Sequence, residues 1–535
     1  MLSGSEHTLR NHILELFSHS SQSASDYAAI RDRLLAAVAK WRNQGVPTGS
    51  DMSFRASSSF FSQDLLDYFE QLEQTVIHNS ADLSSPLCMG HMSGVYPRCM
   101  ALIGELVLAL NQNLVKREAS PSMSRIEVET MAALHRLVYR QNDEFYLHHT
   151  QNDDSTLGLI TSGGTLSNLT ALWIARNLCF APTAYFPGIE AAGMARALEQ
   201  YSCESAVIIG SRMMHYSIEK GAALLGLGTQ NVLTLPVDGS NRLDVDALQD
   251  CIADCAARNR KIIAIVGVAG TTECGSIDPL DAIAEIARTY KIFFHVDAVW
   301  GGPLLFSERY SHYLDGIKRA DSVVLDGHKQ MYLPIATSAL LLRDPAAARV
   351  IEKQSHYMLQ EGSGDLGRRS LEGSRNGSAL FFHAGLKLIG AAGYGFLMQE
   401  NLRNSQIMAE LIRKRPEFEL LIEPQTNILL FRGLPVAFRH SRKRQFSTEE
   451  NAIINAFNER LQKKQSQAGR SFVSRTTIVV GKPAIQTPLV ALRATITNPL
   501  LQEHDMRRVL EDQIAIMAQL ENQPQSEALS AYLKY

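Results

Sequence analysis

From about residue 150 to 345 the chain alternates between two textures. Short apolar and β-branched runs (GLITSGG, SAVIIGS, KIIAIVGVAGTT, KIFFHVDAVWGG, DSVVLDGHK) are interleaved with stretches whose apolar residues recur at helical spacing, such as SNLTALWIARNL, MHYSIEKGAALLGLG and PLDAIAEIARTY. Strands alternating with helices at this interval predict an α/β fold with a mostly parallel sheet. Residues 1–80 read as helical, with apolar spacing in LRNHILELF and YAAIRDRLLAAVAKW broken by QGVPTGSDMS. Past 400 an amphipathic helix, NLRNSQIMAELIRKR, gives way to short strands in TNILLFRG, TTIVVGK and LVALRATITN, the texture of a smaller α+β domain. These shifts divide the chain into an N-terminal helical segment (1–105), a large domain (106–400) and a small C-terminal domain (401–535).

Composition narrows the function classes. A chain of 535 residues has room for two or three domains, and 45% hydrophobic with 20% charged residues is a globular balance. The formal charge of −3 gives no electrostatic case for nucleic acid as a partner, and the run Arg439-His440-Ser441-Arg442-Lys443-Arg444 reads as a solvated loop. The seven cysteines include no CxxC, and Cys251 and Cys255 lie one helical turn apart, so neither a zinc ribbon nor a disulfide framework is indicated and no metal is called for. The N-terminus MLSGSEHTLRNHILELF mixes charges into its apolar positions, and no apolar run approaches the ~18 residues of a membrane helix. A cytoplasmic protein without membrane contact is expected.

In parallel sheets ligands bind beyond the carboxyl ends of the strands, and the unusual residues of this chain follow strands. TSGGTLSN at 161–168 joins a strand to a helix: either an ordinary βα turn or a cradle in which free N–H groups meet an anion. Neither GxGxxG nor GxxxxGK[ST] occurs, so a single phosphate is a more natural guest than a dinucleotide or nucleoside triphosphate. Asp297 ends the run KIFFHVD, as a structural acceptor or as the partner of a cationic ligand nitrogen; His215 opens a helix after SAVIIGS, where its flat ring could stack on a ligand. Lys329, in VVLDGHKQMYLP, either bends out to solvent or is a reactive amine held in a pocket. Together the parts select one cofactor. A lysine that condenses with an aldehyde, an aspartate 32 residues before it that can hold a pyridine nitrogen protonated, a phosphate cradle and a stacking histidine are the inventory of a pyridoxal 5′-phosphate site.

The motifs TSGGTLSN, HYSIEKGAALLGLG, GTTECGSIDP, HVDAVWGG and DGHKQM, in this order, resemble the group II pyridoxal-phosphate-dependent amino acid decarboxylases over roughly 80–500. SPLCMGHMSG and LEGSRNG resemble the bacterial aspartate 1-decarboxylase-like branch, itself similar to glutamate decarboxylases. The resemblance implies an aspartate aminotransferase-like, fold type I architecture with a seven-stranded sheet, and a homodimer with sites at the subunit interface. It implies that Gly164 and Thr165 contact the phosphate with His328 close by, that His215 stacks on the ring, that Thr271 lies near the ring hydroxyl, that Asp297 pairs with the ring nitrogen and that Ala298 lies beneath the ring. Arg375 matches an arginine that binds a substrate carboxylate, and His91 and Asn113, 22 residues apart, match two polar pocket positions. A catalytic loop is expected within 356–372. There Gly364 stands where relatives have a tyrosine, which leaves Tyr357 as the candidate proton donor.

The implied reaction is decarboxylation of a small acidic amino acid. The substrate amine displaces Lys329, the carboxylate bond perpendicular to the ring breaks, and Cα is reprotonated. Aspartate to β-alanine, a pantothenate precursor, is the expected conversion. Glutamate to 4-aminobutyrate is the alternative, since one methylene is worth only about 1–3 kcal/mol in a pocket. An aminotransferase, another lyase or a non-catalytic decarboxylase-like regulator would share much of this sequence.

Overall fold

The computed structural model describes residues 21–42, 65–93, 95–355, 363–439, 446–480 and 487–522. Its centre is a seven-stranded sheet of β1 (Gly158–Thr161), β2 (Ser205–Ser211), β3 (Val232–Leu235), β4 (Arg260–Val268), β5 (Phe293–Asp297), β6 (Ser322–Asp326) and β7 (Ser338–Leu342). The spatial order is β1-β7-β6-β5-β4-β2-β3, and β7 alone runs against its neighbours. All five apolar runs of the sequence are strands here. Two strands, β3 and β7, join them.

Val323, Val324 and Leu325 of β6 are wholly buried, as strands covered on both faces must be. One cover is the helix Gly164–Cys179, whose Leu172 and Ile174 are fully buried; such side chains contribute about 1.5–3 kcal/mol each. The helix Val245–Ala257 starts where the Asp244 side chain accepts from the amides of Asp246 and Ala247 at 3.0 and 3.2 Å, a cap worth about 1 kcal/mol.

A second, antiparallel sheet contains β8 (Phe418–Leu420), β9 (Ile428–Gly433), β10 (Ser474–Val480) and β11 (Thr487–Thr495), in the order β10-β11-β9-β8. It has its own core around Met408, Phe431, Leu492 and Met517. The helix Gly390–Arg413 carries the chain from one core to the other, with Met398 in the first and Met408 in the second. The sheets meet beside the loop after β4: Thr426 Oγ1 donates to the Gly275 carbonyl at 3.0 Å, and Trp300 Nε1 donates to Asn427 Oδ1 at 3.1 Å. That seam sets the end of β11 against the end of β4.

No single helix among the described residues is long and apolar enough to cross a membrane. Of the basic run, Arg439 pairs with Glu521 at 2.5 Å; residues 440–444 lie outside the described residues.

Candidate active site

The carboxyl ends of β1, β2, β4, β5 and β6 bring together Gly164, Thr165, His215, Thr271, Asp297, Ala298, His328 and Lys329. A buried polar chain organises them. Asn168, on the first turns of the Gly164–Cys179 helix, donates to Asp297 Oδ2 at 2.8 Å and to Ser217 Oγ at 2.9 Å. Ser217 Oγ lies 2.9 Å from His215 Nδ1, which also accepts the Ser217 amide. With Nδ1 an acceptor, the His215 proton sits on Nε2. Burial lowers the affinity of this ring for a second proton, against the pull of Asp297. Behind Asn168, His295 is fully buried between Asn168 Oδ1 (3.0 Å) and Ser322 Oγ (2.8 Å), and burial pushes its pKa down to about 4. A neutral histidine thus fixes the amide, and the amide fixes the carboxylate.

Lys329 Nζ lies 3.6 Å from Asp326 Oδ2, and His328 Nε2 lies 3.5 Å from the same oxygen. His328 Nδ1 donates to the Thr337 carbonyl at 2.8 Å, which orients the ring. Asp326 is buried, and its Oδ1 has no partner among the described residues. Desolvation holds its carboxyl above the usual range despite the neighbouring Lys329 and His328. The loop that follows is strained: Tyr332 (φ 57°) and Ala336 (φ 72°) are left-handed without being glycine, and Tyr332 is anchored by a 2.8 Å bond from Asn401 to its hydroxyl. Strain of about 1–3 kcal/mol per residue survives only where packing overrides it. Gly164 is required by close approach, since a Cβ there would lie 2.7 Å from Val299 Cγ1 and 3.2 Å from both Asp326 oxygens.

Thr271 sits at the end of β4, but its hydroxyl is used within its own turn, by Ser276 Oγ at 3.0 Å and Cys274 Sγ at 3.1 Å. The three residues expected to bind substrate separate into two groups. Arg375, expected to bind a substrate carboxylate, here has both terminal nitrogens in a buried two-pronged ion pair with Glu127 (2.6 and 2.8 Å). Asn113 belongs to the same seam: its Oδ1 accepts from the Val115 and Arg375 amides, and its Nδ2 donates to Ser374. His91 lies elsewhere, stacked on Phe472 with centroids 4.9 Å apart and near another arginine, Arg493.

Arg493 escaped the sequence reading. Its Nε donates to the Thr272 carbonyl at 2.8 Å, Nη1 reaches Ser474 Oγ at 3.2 Å, and Nη2 is buried without a partner among the described residues. The signal was present, as a lone arginine inside the apolar run LVALRATI. Asn168 was also passed over although it falls within TSGGTLSN, and Asp326, conspicuous before His328 and Lys329, was given no role.

Tyr357 lies outside the described residues. Gly364 is described, and a Cβ there would meet the Arg117 guanidinium carbon at 2.0 Å. Arg117 forms a two-pronged pair with Asp153 (2.6 and 3.0 Å) and its amide donates to Asp365 at 2.9 Å. Arginine therefore fills the space that a larger residue at 364 would need.

A doubly covered parallel sheet with a lysine, two aspartates and a glycine-rich turn at its carboxyl edge defines a class of cofactor-dependent enzyme, and comparison with known proteins says which. Residues 55–433 match the pyridoxal-dependent decarboxylase conserved domain. The chain belongs to this family: it is a pyridoxal-phosphate-dependent carboxy-lyase acting on amino acids. It is 38% identical to an aspartate 1-decarboxylase of Aliivibrio fischeri, covering 88% of this chain and 86% of the relative. It is 30% identical to an L-2,4-diaminobutyrate decarboxylase of Acinetobacter baumannii, covering 82% and 87%. The crystal structure of mouse CSAD in apo form superposes with a TM-score of 0.77 at 24% identity over 92% of this chain and 99% of that one. The fold is the type I fold of pyridoxal-phosphate enzymes. The residues present fit the cofactor: the crevice over Gly164 admits no side chain, and the amine of Lys329 stands beside the orphaned carboxylate oxygen of Asp326.

Proposed function

We propose that the protein decarboxylates L-aspartate to β-alanine and carbon dioxide, as a supply of β-alanine for pantothenate synthesis. The observation that carries the reading is Arg493, a buried guanidinium with an unpartnered Nη2 beside His91 and the loop after β4, placed to hold the side-chain carboxylate of a short acidic substrate. The 38% identical relative named aspartate 1-decarboxylase supports the same choice.

Pyridoxal phosphate, when bound, supplies an aldehyde for the substrate amine and a ring that accepts the electron pair released with carbon dioxide. Lys329 would be the amine that holds the cofactor through its aldehyde. Asp297, steadied by Asn168, keeps a proton on the ring nitrogen. The free amides of Gly164 and Thr165 hold the phosphate with His328, and the His215 ring, fixed through Ser217, offers its flat face. Ala298 forms the floor and Thr271 shapes the turn at the ring's edge. Arg375 and Asn113 act as scaffold, holding the end of the 363–375 segment to the 113–127 segment.

A homodimer is proposed with it. Its support is the row of exposed leucines on the helix Cys99–Leu110, where Leu108 is 77% exposed, together with Ile335 at 72% beside the lysine loop.

The test offers the cofactor-loaded protein aspartate, glutamate, cysteine sulfinate and 2,4-diaminobutyrate separately and identifies the amines. β-Alanine from aspartate is expected to dominate; a diamine formed faster from diaminobutyrate would overturn the assignment. Borohydride should fix the cofactor to the peptide containing Lys329 and to no other.

A further inference from the structure

The wall that carries Arg493 also carries a carboxyl that the reaction has not used. Glu273 follows Thr272 on the loop after β4, and its Oε2 is buried with no partner among the described residues, as is Nη2 of Arg493. The two groups are close enough to feel each other's charge, and Arg493 is tied to the residue before Glu273 through the Thr272 carbonyl. Yet the orphaned oxygen and the orphaned N–H do not bond to each other. A donor and an oxygen are thus left open within reach of each other's charge.

We propose that Glu273 is the second half of the substrate's side-chain subsite, a neutral carboxylic acid that donates its O–H to the distal carboxylate held by Arg493. This rests on the acidic-substrate reading above. The charge count supports it. Arg493 and a bound distal carboxylate already cancel; an ionised Glu273 would leave a net negative charge out of water, and a neutral one leaves none. Burial raises the proton affinity of the Glu273 carboxyl, against the opposing pull of its own backbone amide and of the Arg493 guanidinium. The titratable groups around it are Arg493 from β11, His91 from the 88–91 segment and Cys274 on the same loop; His91, with its proton affinity lowered, is uncharged at neutral pH and above.

The test uses the holoenzyme and succinate, a dicarboxylate that lacks the reacting amine. Calorimetry in two buffers of different ionisation enthalpy counts protons. On the alkaline side, where free Glu273 ionises, about one proton should be taken up per succinate, and affinity should fall about tenfold per pH unit. Glu273→Gln keeps a donor and the shape but cannot titrate, so its succinate affinity should be nearly flat over the same range. Lys329 is unchanged in that variant, so any titration of the lysine–cofactor linkage persists and is subtracted. Succinate binding without proton uptake, with a profile shared by wild type and Glu273→Gln, would overturn the proposal while leaving the acidic-substrate reading intact. No succinate binding by wild type, or binding unchanged in Arg493→Met, would overturn that reading and this inference with it.

Discussion

Arg375 and Arg493 are both buried arginines next to conspicuous sequence motifs, and they are in opposite condition. Around Arg375, the 113–127 and 363–375 segments close on themselves: Glu127 takes both terminal nitrogens, Asn113 takes the backbone, and Arg117, Asp153 and Asp365 form a second set. Around Arg493, three distant segments meet (88–91, 271–274 and β11) and leave a guanidinium N–H and a carboxyl oxygen unspent. Arg375 keeps only its Nε without a partner among the described residues, and a guanidinium whose two terminal nitrogens are both held by one carboxylate ties a fold together. One with a valence left open in a crevice is available to a ligand.

The contrast can be broken at either arginine. Arg493→Met should cost roughly 4 kcal/mol in kcat/KM for aspartate, about a thousandfold, with cofactor absorbance and melting temperature little changed. A matching loss of folded protein would make Arg493 a second structural cation. Arg375→Met should do the reverse. Stranding Glu127 should cost about 3–5 kcal/mol of stability, and the folded fraction should keep its kinetic constants within a few-fold. Adding Glu127→Met should restore most of that stability by removing the stranded charge. Denaturant titration beside steady-state kinetics separates the two outcomes.

Acid should act on the cofactor side of the site before it acts on the arginines. His295 is held near pKa 4 against an ordinary 6.5, so its neutral form stabilises the fold fully above about pH 6.5. That contribution, on the order of 3 kcal/mol, is lost as pH falls from about 6.5 toward 4, because the unfolded state takes the proton first. Unfolding free energies at pH 7 and 4.5 should differ less in His295→Asn than in wild type. The smallest change is Gly364→Ala. A methyl 2.0 Å from the Arg117 carbon forces that side chain off Asp153, at about 1–3 kcal/mol, without touching Arg493 or Lys329. Thermal shift with unchanged KM would place Gly364 firmly on the structural side.

Much of the architecture was legible because strands buried on both faces must be apolar throughout. GLIT, SAVIIGS, KIIAIVGV, KIFFHVD and SVVLD are such runs, and a charged residue just past one stands out. VLTL and SALLL were missed for identifiable reasons. β3 is a four-residue edge strand with only its ends buried, and β7 follows the strained turn at Tyr332–Ala336 rather than a helix. A strand–helix alternation does not anticipate either. Asn168 and His295 could be read as ordinary polar residues, since nothing local shows that they touch each other across 127 positions.

The sequence by itself therefore determined the sheet and put Lys329, Asp297 and the glycine-rich turn at its carboxyl edge, because each depends on one strand and the few residues after it. Only the tertiary structure decided how each arginine is paired. A guanidinium is neutralised or left open by residues far away in the chain: Glu127 lies 248 positions from Arg375, and Thr272 lies 221 positions from Arg493. Partners at such separations are fixed by how the two sheets dock, and no local pattern of apolar and polar residues encodes that.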